Sequence, residues 1–226
     1  MSQKYIIDSK KIKALLFDWD GTLVDTEILQ NEAYSRFFAP LGIKYLSVEE
    51  HIYKLGGRGS RSVYEEFVGV VSDEEYEKFR LKRREHYLDV VNEKGVKIIN
   101  GVLHLITSAK KFNMKIGIVT GGSKDTLNKI FKRVKELPLK LFDTVIYYGD
   151  YKNTKPHPEP YLLGAKNLNI KPEQCLVFED SPNGIRSATK AGMDYFAITH
   201  NLPADKFKET DPKAKTIKDF TQIKIK

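Results

Sequence analysis

A single cysteine, a single tryptophan and no apolar run long enough to cross a bilayer characterise this 226-residue chain. With one cysteine, Cys175, an intramolecular disulfide framework is excluded. Cys175 stands in QCLVFE, which reads as a buried strand, so it is taken as a small core residue and not as a nucleophile. The roughly 18 consecutive apolar residues of a membrane span occur nowhere, and no membrane partner is expected. The opening MSQKYIIDSKKIK has neither the apolar region nor the small-residue cleavage site of a secretory signal. A cytoplasmic location is therefore the expectation. Internal repeats and low-complexity tracts are also missing.

Another absence concerns charge pattern. The formal net charge is +8, which raises the question of a nucleic-acid partner. The basic residues are nevertheless spread along the chain, with lysines (Lys206, Lys208, Lys213, Lys215, Lys218, Lys224 and Lys226) dominating the C-terminal tail. No basic cluster is interleaved with aromatics, and no nucleic-acid-binding motif is present. Solvated lysine faces account for the charge, and no nucleic-acid partner is expected. At 41% apolar and 30% charged, the composition is that of an ordinary globular protein.

What is there is an alternation. KALLF (13–17), KIGIVT (115–120), TVIYY (144–148), CLVFE (175–179) and YFAIT (195–199) read as buried strands. Helical patterns lie between them, near 102–112, 123–136, 158–168 and 182–191. The last has Ser181 at the N-cap, Pro182 at its first position and Gly192 just past its end. Continuous apolar strands separated by helices imply an α/β fold with a parallel, Rossmann-like sheet covered on both faces. One stretch breaks the rhythm. From about 28 to 93 the pattern is helical without a strand, and Ser72 and Glu75 have capping-box spacing. This predicts a helical cap over 27–93, inserted into a core made of 1–26 and 94–226, with hinges near Val24–Glu27 and Glu93–Asn100.

In open parallel sheets, ligands bind beyond the carboxyl ends of the strands. Here those ends deliver Asp18 and Asp20 with Gly21-Thr22, then Thr120-Gly121-Gly122-Ser123, then Lys155, then Glu179-Asp180-Ser181. Converging carboxylates repel one another unless a cation lies between them, and oxygen-only ligands favour a hard ion such as Mg²⁺. Glycines and a hydroxyl at a strand-to-helix turn offer N–H groups to an anion. Metal, lysine and amide donors together describe phosphoryl transfer, in which a carboxylate can itself be the nucleophile.

These motifs (DWDGT, Thr120-Gly-Gly, Lys155-Pro and Glu179-Asp, in that order) resemble the four motifs of the haloacid dehalogenase superfamily. LFDWDGTLVDTE and KPHPEPYLLGAKNLNIKPEQCLVFEDSPNGIRSATKAGM resemble its β-phosphoglucomutase-like branch, over about residues 12–200. The resemblance implies a helical cap after the first motif. Asp18 would be the nucleophile, and Asp20 the general acid and then base. Thr120 would bond the transferring phosphoryl group, with Gly121 and Gly122 beside it. Lys155 would bridge that group and Asp18. Mg²⁺ would be held by the Asp18 side chain, the Asp20 carbonyl and Asp180, with Glu179 as a helper. True haloacid dehalogenases lack the second aspartate, which argues against dehalogenation.

The cap loop GGRGSRS (56–62) is similar to the family's substrate-facing loop, and Arg58 or Arg61 could reach an anionic substrate. At the position of the histidine that assists the β-phosphoglucomutases stands Gln30, which cannot do the same proton work. The expectation is a Mg²⁺-dependent phosphatase acting, as a monomer, on a small phosphomonoester such as a sugar phosphate. A phosphosugar mutase is the alternative, and a non-catalytic binding protein on the same fold a remote one. Trp19 is read as local packing and His157 as a loop residue.

Overall fold

The structure, a computed structural model, describes residues 4–226. Among these the strands are β1 (Tyr5–Ile7), β2 (Ala14–Phe17), β3 (Lys115–Val119), β4 (Thr144–Ile146), β5 (Cys175–Glu179), β6 (Asp194–Ile198), β7 (Thr216–Ile217) and β8 (Ile223–Ile225). The helices are α1 (Glu27–Phe38), α2 (Val48–Leu55), α3 (Ser60–Val68), α4 (Asp73–Lys94), α5 (Val102–Lys111), α6 (Lys124–Phe131), α7 (Glu159–Leu168), α8 (Pro182–Lys190) and α9 (Ala204–Thr210). Strand β2 carries four apolar residues, all buried, and that composition fits only the middle of a sheet covered on both sides. It lies between β3 and β5 in the parallel order β4-β3-β2-β5-β6-β7. Phe17 is level with Ile118 on one side and Phe178 on the other. The chain leaves β2 first toward β3 and β4, then returns to β5, so the order reverses at β2. That is where a crevice opens in such sheets.

Two expectations need correction. The helix predicted over 123–136 ends at Phe131. The chain then tightens into turns, with Val134 N–H on Ile130 O and Leu137 N–H on Val134 O, and these turns still bury Val134 and Leu137. The apolar spacing was real, but turns satisfy it as well as another helical turn would. The lysine-rich tail also does more than solvate, since β7 completes the sheet and β8 pairs in parallel with β1.

Helices α1 to α4 follow β2 with no strand between them. The linkers entering and leaving this insertion run side by side: Asp25 N–H donates to Lys97 O at 2.8 Å and Ile99 N–H to Leu23 O at 3.0 Å. Ser72 and Glu75 form the expected reciprocal capping box on α4, and Ser47 and Glu50 form another on α2. The insertion has its own aromatic core, in which Tyr34, Phe38, Tyr45 and Phe79 are buried. Tyr64 stacks on Phe79 with ring centroids 4.1 Å apart. Among the described residues, no helix is long and apolar enough to cross a membrane.

Candidate active site

Asp18 is the first residue beyond β2, Thr120 the first beyond β3 and Asp180 the first beyond β5. Lys155 comes from the loop between β4 and α7 and is only 2% exposed. Its ammonium donates to Asp18 Oδ1 at 2.6 Å, to Glu179 Oε1 at 2.6 Å and to Val119 O at 3.0 Å. All three donors of a buried cation are thereby used, the condition under which burial of such a charge is tolerable.

Glu179, expected as a helper at the metal, accepts hydrogen bonds from three side chains, that of Lys155 among them. Its Oε1 accepts from Lys155 and from the Tyr161 hydroxyl at 2.6 Å, and its Oε2 accepts from the Ser181 hydroxyl at 3.1 Å. Gly184 packs against this carboxylate so closely that a Cβ there would stand 1.9 Å from its carboxyl carbon. Both oxygens are engaged, so Glu179 is part of the scaffold that holds Lys155.

Asp20 is oriented by the first turns of the insertion. Its Oδ1 accepts from the Thr26 hydroxyl at 2.5 Å and from the Gln30 amide at 3.3 Å. The Gln30 carbonyl in turn accepts from Arg83 at 2.5 Å. Between the two strand-end aspartates and Asp180 the chain turns at Gly21, with φ +69°. A Cβ there would lie 1.9 Å from Asp180 Oδ2 and 2.8 Å from Glu27 Cγ, so both conformation and space demand glycine. Asp180 is 3% exposed, and its Oδ2 has no hydrogen-bond partner. Thr120 is buried, and its hydroxyl accepts from the Gly122 N–H at 2.9 Å, which shapes the Thr-Gly-Gly turn.

Burial dominates the electrostatics. It pushes Asp18 up to about 8, against the opposing pull of Lys155. Asp20 is raised by burial despite its bonds to Thr26 and Gln30. Asp180 stands well above the usual carboxylate range, through burial and then through the neighbouring Glu27 and Asp18 charges. Burial alone would lower Lys155, but the Asp18 and Glu179 carboxylates overcome it and hold the ammonium well above its ordinary value. Fully ionised, these carboxylates would outweigh the charge of their one lysine, and an added cation would favour their ionised form.

A cleft of about 120 Å³ opens over these residues. Its floor includes Asp18, Asp20, Asp180, Gly121 and Gly122, and its roof, from the helical insertion, includes Glu27, Gln30, His51, Arg58, Arg80, Arg83 and Arg84. Arg58 therefore reaches the cleft as expected. Arg61 does not line it: its guanidinium is held by Glu65, Asp73 and the Val71 carbonyl and stacks on Tyr76. Three arginines on α4 escaped the sequence reading, although positions 80, 83 and 84 share one helical face and so carried a signal. Trp19 is fully buried and packs on Phe131 at 4.6 Å, with its Nε1 unpartnered.

The sequence matches the haloacid dehalogenase-like hydrolases over residues 15–198. A phosphorylated carbohydrates phosphatase of Thermotoga maritima is 31% identical over 194 residues, which cover 84% of this chain and 87% of that protein. Validoxylamine A 7'-phosphate phosphatase of Streptomyces hygroscopicus subsp. limoneus is 27% identical over 212 residues, covering 94% and 96%. Among solved structures, a β-phosphoglucomutase of Clostridium difficile aligns with a TM-score of 0.80 at 26% identity, covering 94% of this chain and 93% of that one. The matched span holds both the strand-end carboxylates and the helices that roof them, and the chain belongs to the haloacid dehalogenase-like hydrolases.

Proposed function

We propose that this hydrolase is a Mg²⁺-dependent phosphatase that cleaves small phosphomonoesters, sugar phosphates or similar metabolites, through an aspartyl-phosphate on Asp18. Phosphoric monoester hydrolysis follows from the family and from the phosphatases that align along most of the chain. The cation, the intermediate and the substrate class are our reading. The observation that carries it is the buried Lys155, clamped between Asp18 and Glu179 while Asp18 faces the cleft.

The donor set fits a hard cation. It is all oxygen, and Asp180 Oδ2 is buried without a partner, with the Asp18 and Glu27 carboxyls close by. Asp18, the Asp20 main-chain carbonyl and Asp180 would hold the ion. Among the described residues no group of three or more acidic, histidine or cysteine side chains is disposed to hold a cation alone. Waters and a substrate oxygen would complete the shell, as Mg²⁺ sites commonly require. The bound ion would supply positive charge against the phosphoryl oxygens.

In the first half-reaction an Asp18 carboxylate oxygen bonds to phosphorus and the ester P–O bond breaks. Lys155 holds Asp18 in place, and Asp20, oriented by Thr26 and Gln30, gives its proton to the departing alkoxide. In the second, Asp20 takes a proton from water, the water oxygen bonds to phosphorus, and the bond to Asp18 breaks to release inorganic phosphate. The raised position of Asp20 suits a group that must first carry a proton and then accept one. The Gln30 amide orients Asp20 without exchanging a proton at neutral pH, which favours water over a sugar hydroxyl as the second acceptor. We take the enzyme to act as a cytoplasmic monomer, with neither nucleic acid nor membrane as partner.

A phosphomonoester screen with Mg²⁺ tests the reading. Asp18→Asn should lose about a thousand-fold or more in kcat, and hydrolysis that survives in this variant would overturn the nucleophile assignment. Conversion of β-glucose 1-phosphate to glucose 6-phosphate with little phosphate released would replace the phosphatase by a mutase.

A further inference from the structure

Thr26 stands at the N-cap of α1, where a threonine hydroxyl ordinarily accepts from the first turn of its own helix. Here it makes no such bond. The hydroxyl donates instead to Asp20 Oδ1 at 2.5 Å, and the Tyr87 hydroxyl of α4 faces it from within the insertion. Thr26 is fully buried and orients the group that moves protons in the steps above. The device that commonly fixes an N-cap residue is thus given over to the site, and the main chain at Thr26 has to be held by other means.

A brace lies one residue earlier. The Asp25 carboxylate is bracketed by two consecutive residues of the core: His200 Nε2 lies 3.1 Å from Oδ2, and Asn201 Nδ2 donates to Oδ1 at 3.3 Å. Neither His200 nor Asn201 lines the cleft. The segment that carries them is anchored on both sides. It follows β6, where Thr199 N–H donates to Ile217 O of β7 at 2.8 Å, and it precedes Leu202, which is buried in one cluster with Ile52, Ile185 and Phe207. Because this segment is ordered by its own packing, holding Asp25 costs little further conformational entropy. The loop between Asp20 and α1 is tight as well, with Gly21 N–H and Thr26 N–H both donating to Val24 O, at 2.8 and 3.0 Å. A shift of Asp25 is therefore passed to Thr26, its neighbour, and from the Thr26 hydroxyl to Asp20.

We propose that His200 and Asn201 are positioning residues: they hold Asp25, and through it the Thr26 hydroxyl that aims Asp20 at the leaving oxygen. Neither touches substrate. The proposal rests on the phosphatase reading and extends its machinery to the loop after β6. It also makes a demand on the chemistry. A fault in the aim of Asp20 is felt where the leaving oxygen needs a proton, as in alkyl esters, and little where it does not, as in p-nitrophenyl phosphate.

The test measures kcat/KM, with Mg²⁺, for p-nitrophenyl phosphate and for the sugar or polyol phosphate turned over fastest in the screen. The double variant His200→Ala/Asn201→Ala should lose about ten-fold on the alkyl ester and stay within about two-fold on the aryl ester. Thr26→Val, of the same shape, should show the same split, and in that background the double variant should add nothing further. An equal fall on both esters overturns the proposal, since a brace that merely stabilises the insertion would act on both alike. So does the absence of any fall, or a loss that adds in full to that of Thr26→Val. Thermal melts check folding; if the double variant does not fold, Asn201→Ala alone must show the split, with a smaller loss on the alkyl ester, and no split overturns the proposal. If the unmodified enzyme cleaves no alkyl phosphate, the phosphatase reading itself fails and the proposal falls with it.

Discussion

The two walls of the cleft balance their charges differently. On the sheet side, Lys155 and its partners Asp18 and Glu179 are buried, and the pairing distances are 2.6 Å. On the side of the insertion, Arg58, Arg80 and Arg84 pair with Glu66, Glu77 and Asp125, each of which has a side chain more than half exposed. A buried pair cannot lose one member without stranding the other in low dielectric. An exposed pair exchanges its partner for water at little cost. The floor is thus built to keep one arrangement, and the roof can release its arginines to an incoming anion. A site divided in this way keeps its chemistry constant while its substrate contacts are free to vary.

The largest effect should come from the floor. Lys155→Met strands two carboxylates, and urea unfolding should show a loss of about 3–5 kcal/mol. Arg84→Ala, which removes the bridge from α4 to Asp125, should cost no more than about 1 kcal/mol. Equal losses would erase the distinction between the walls.

A pH series sharpens the same contrast. Asp18 at about 8 and the raised Asp20, Glu27 and Asp180 bind protons in the folded state that the unfolded chain has already released. Groups raised in this way stabilise most below the unfolded carboxylate range, and that contribution is lost as pH rises toward the folded values. His51, lowered to about 4, acts in the opposite direction, but only as pH falls below about 6.5. Between pH 6.5 and 8 the carboxylates act alone. In chelator, stability should fall across that window by up to roughly 1.4 kcal/mol per pH unit for each carboxyl that keeps its proton in the folded state. Mg²⁺ should flatten the slope and raise the melting temperature more at pH 8 than at pH 6.5. A slope of opposite sign would refute the assignment of the buried charges.

The smallest effect separates two neighbours in the roof. Arg58→Ala should raise KM several-fold for a sugar phosphate, an effect of about 1 kcal/mol. Arg61→Ala, whose guanidinium faces Glu65 and Asp73 away from the cleft, should leave KM within two-fold. Matched changes in KM would show that the loop contacts substrate as a whole.

Legibility followed the same division. The ends of β2, β3 and β5 could be read from short apolar runs that stop at Asp18, Thr120 and Glu179-Asp180, because a buried parallel strand needs consecutive apolar residues. The N-caps Ser72 and Ser181 were visible because capping acts within one turn. Strands β1 and β8, three residues each, were not, since neither is a strand without the other. Glu179 looked like a metal ligand beside Asp180. Only the approach of Tyr161 and Lys155 from elsewhere in the chain shows that it also holds the lysine in place.

By itself, the sequence determined the central strands of the sheet, the helical insertion after β2 and the candidate residues at the strand ends, because each depends on local periodicity or on a motif a few residues long. Tertiary structure decided which arginines roof the cleft, that Gln30 reaches Asp20, and that Glu27 and His51 stand 3.6 Å apart. Those relations lie beyond the reach of any local motif, and they exist only once the aromatic core of the insertion and its paired linkers hold it over the strand ends.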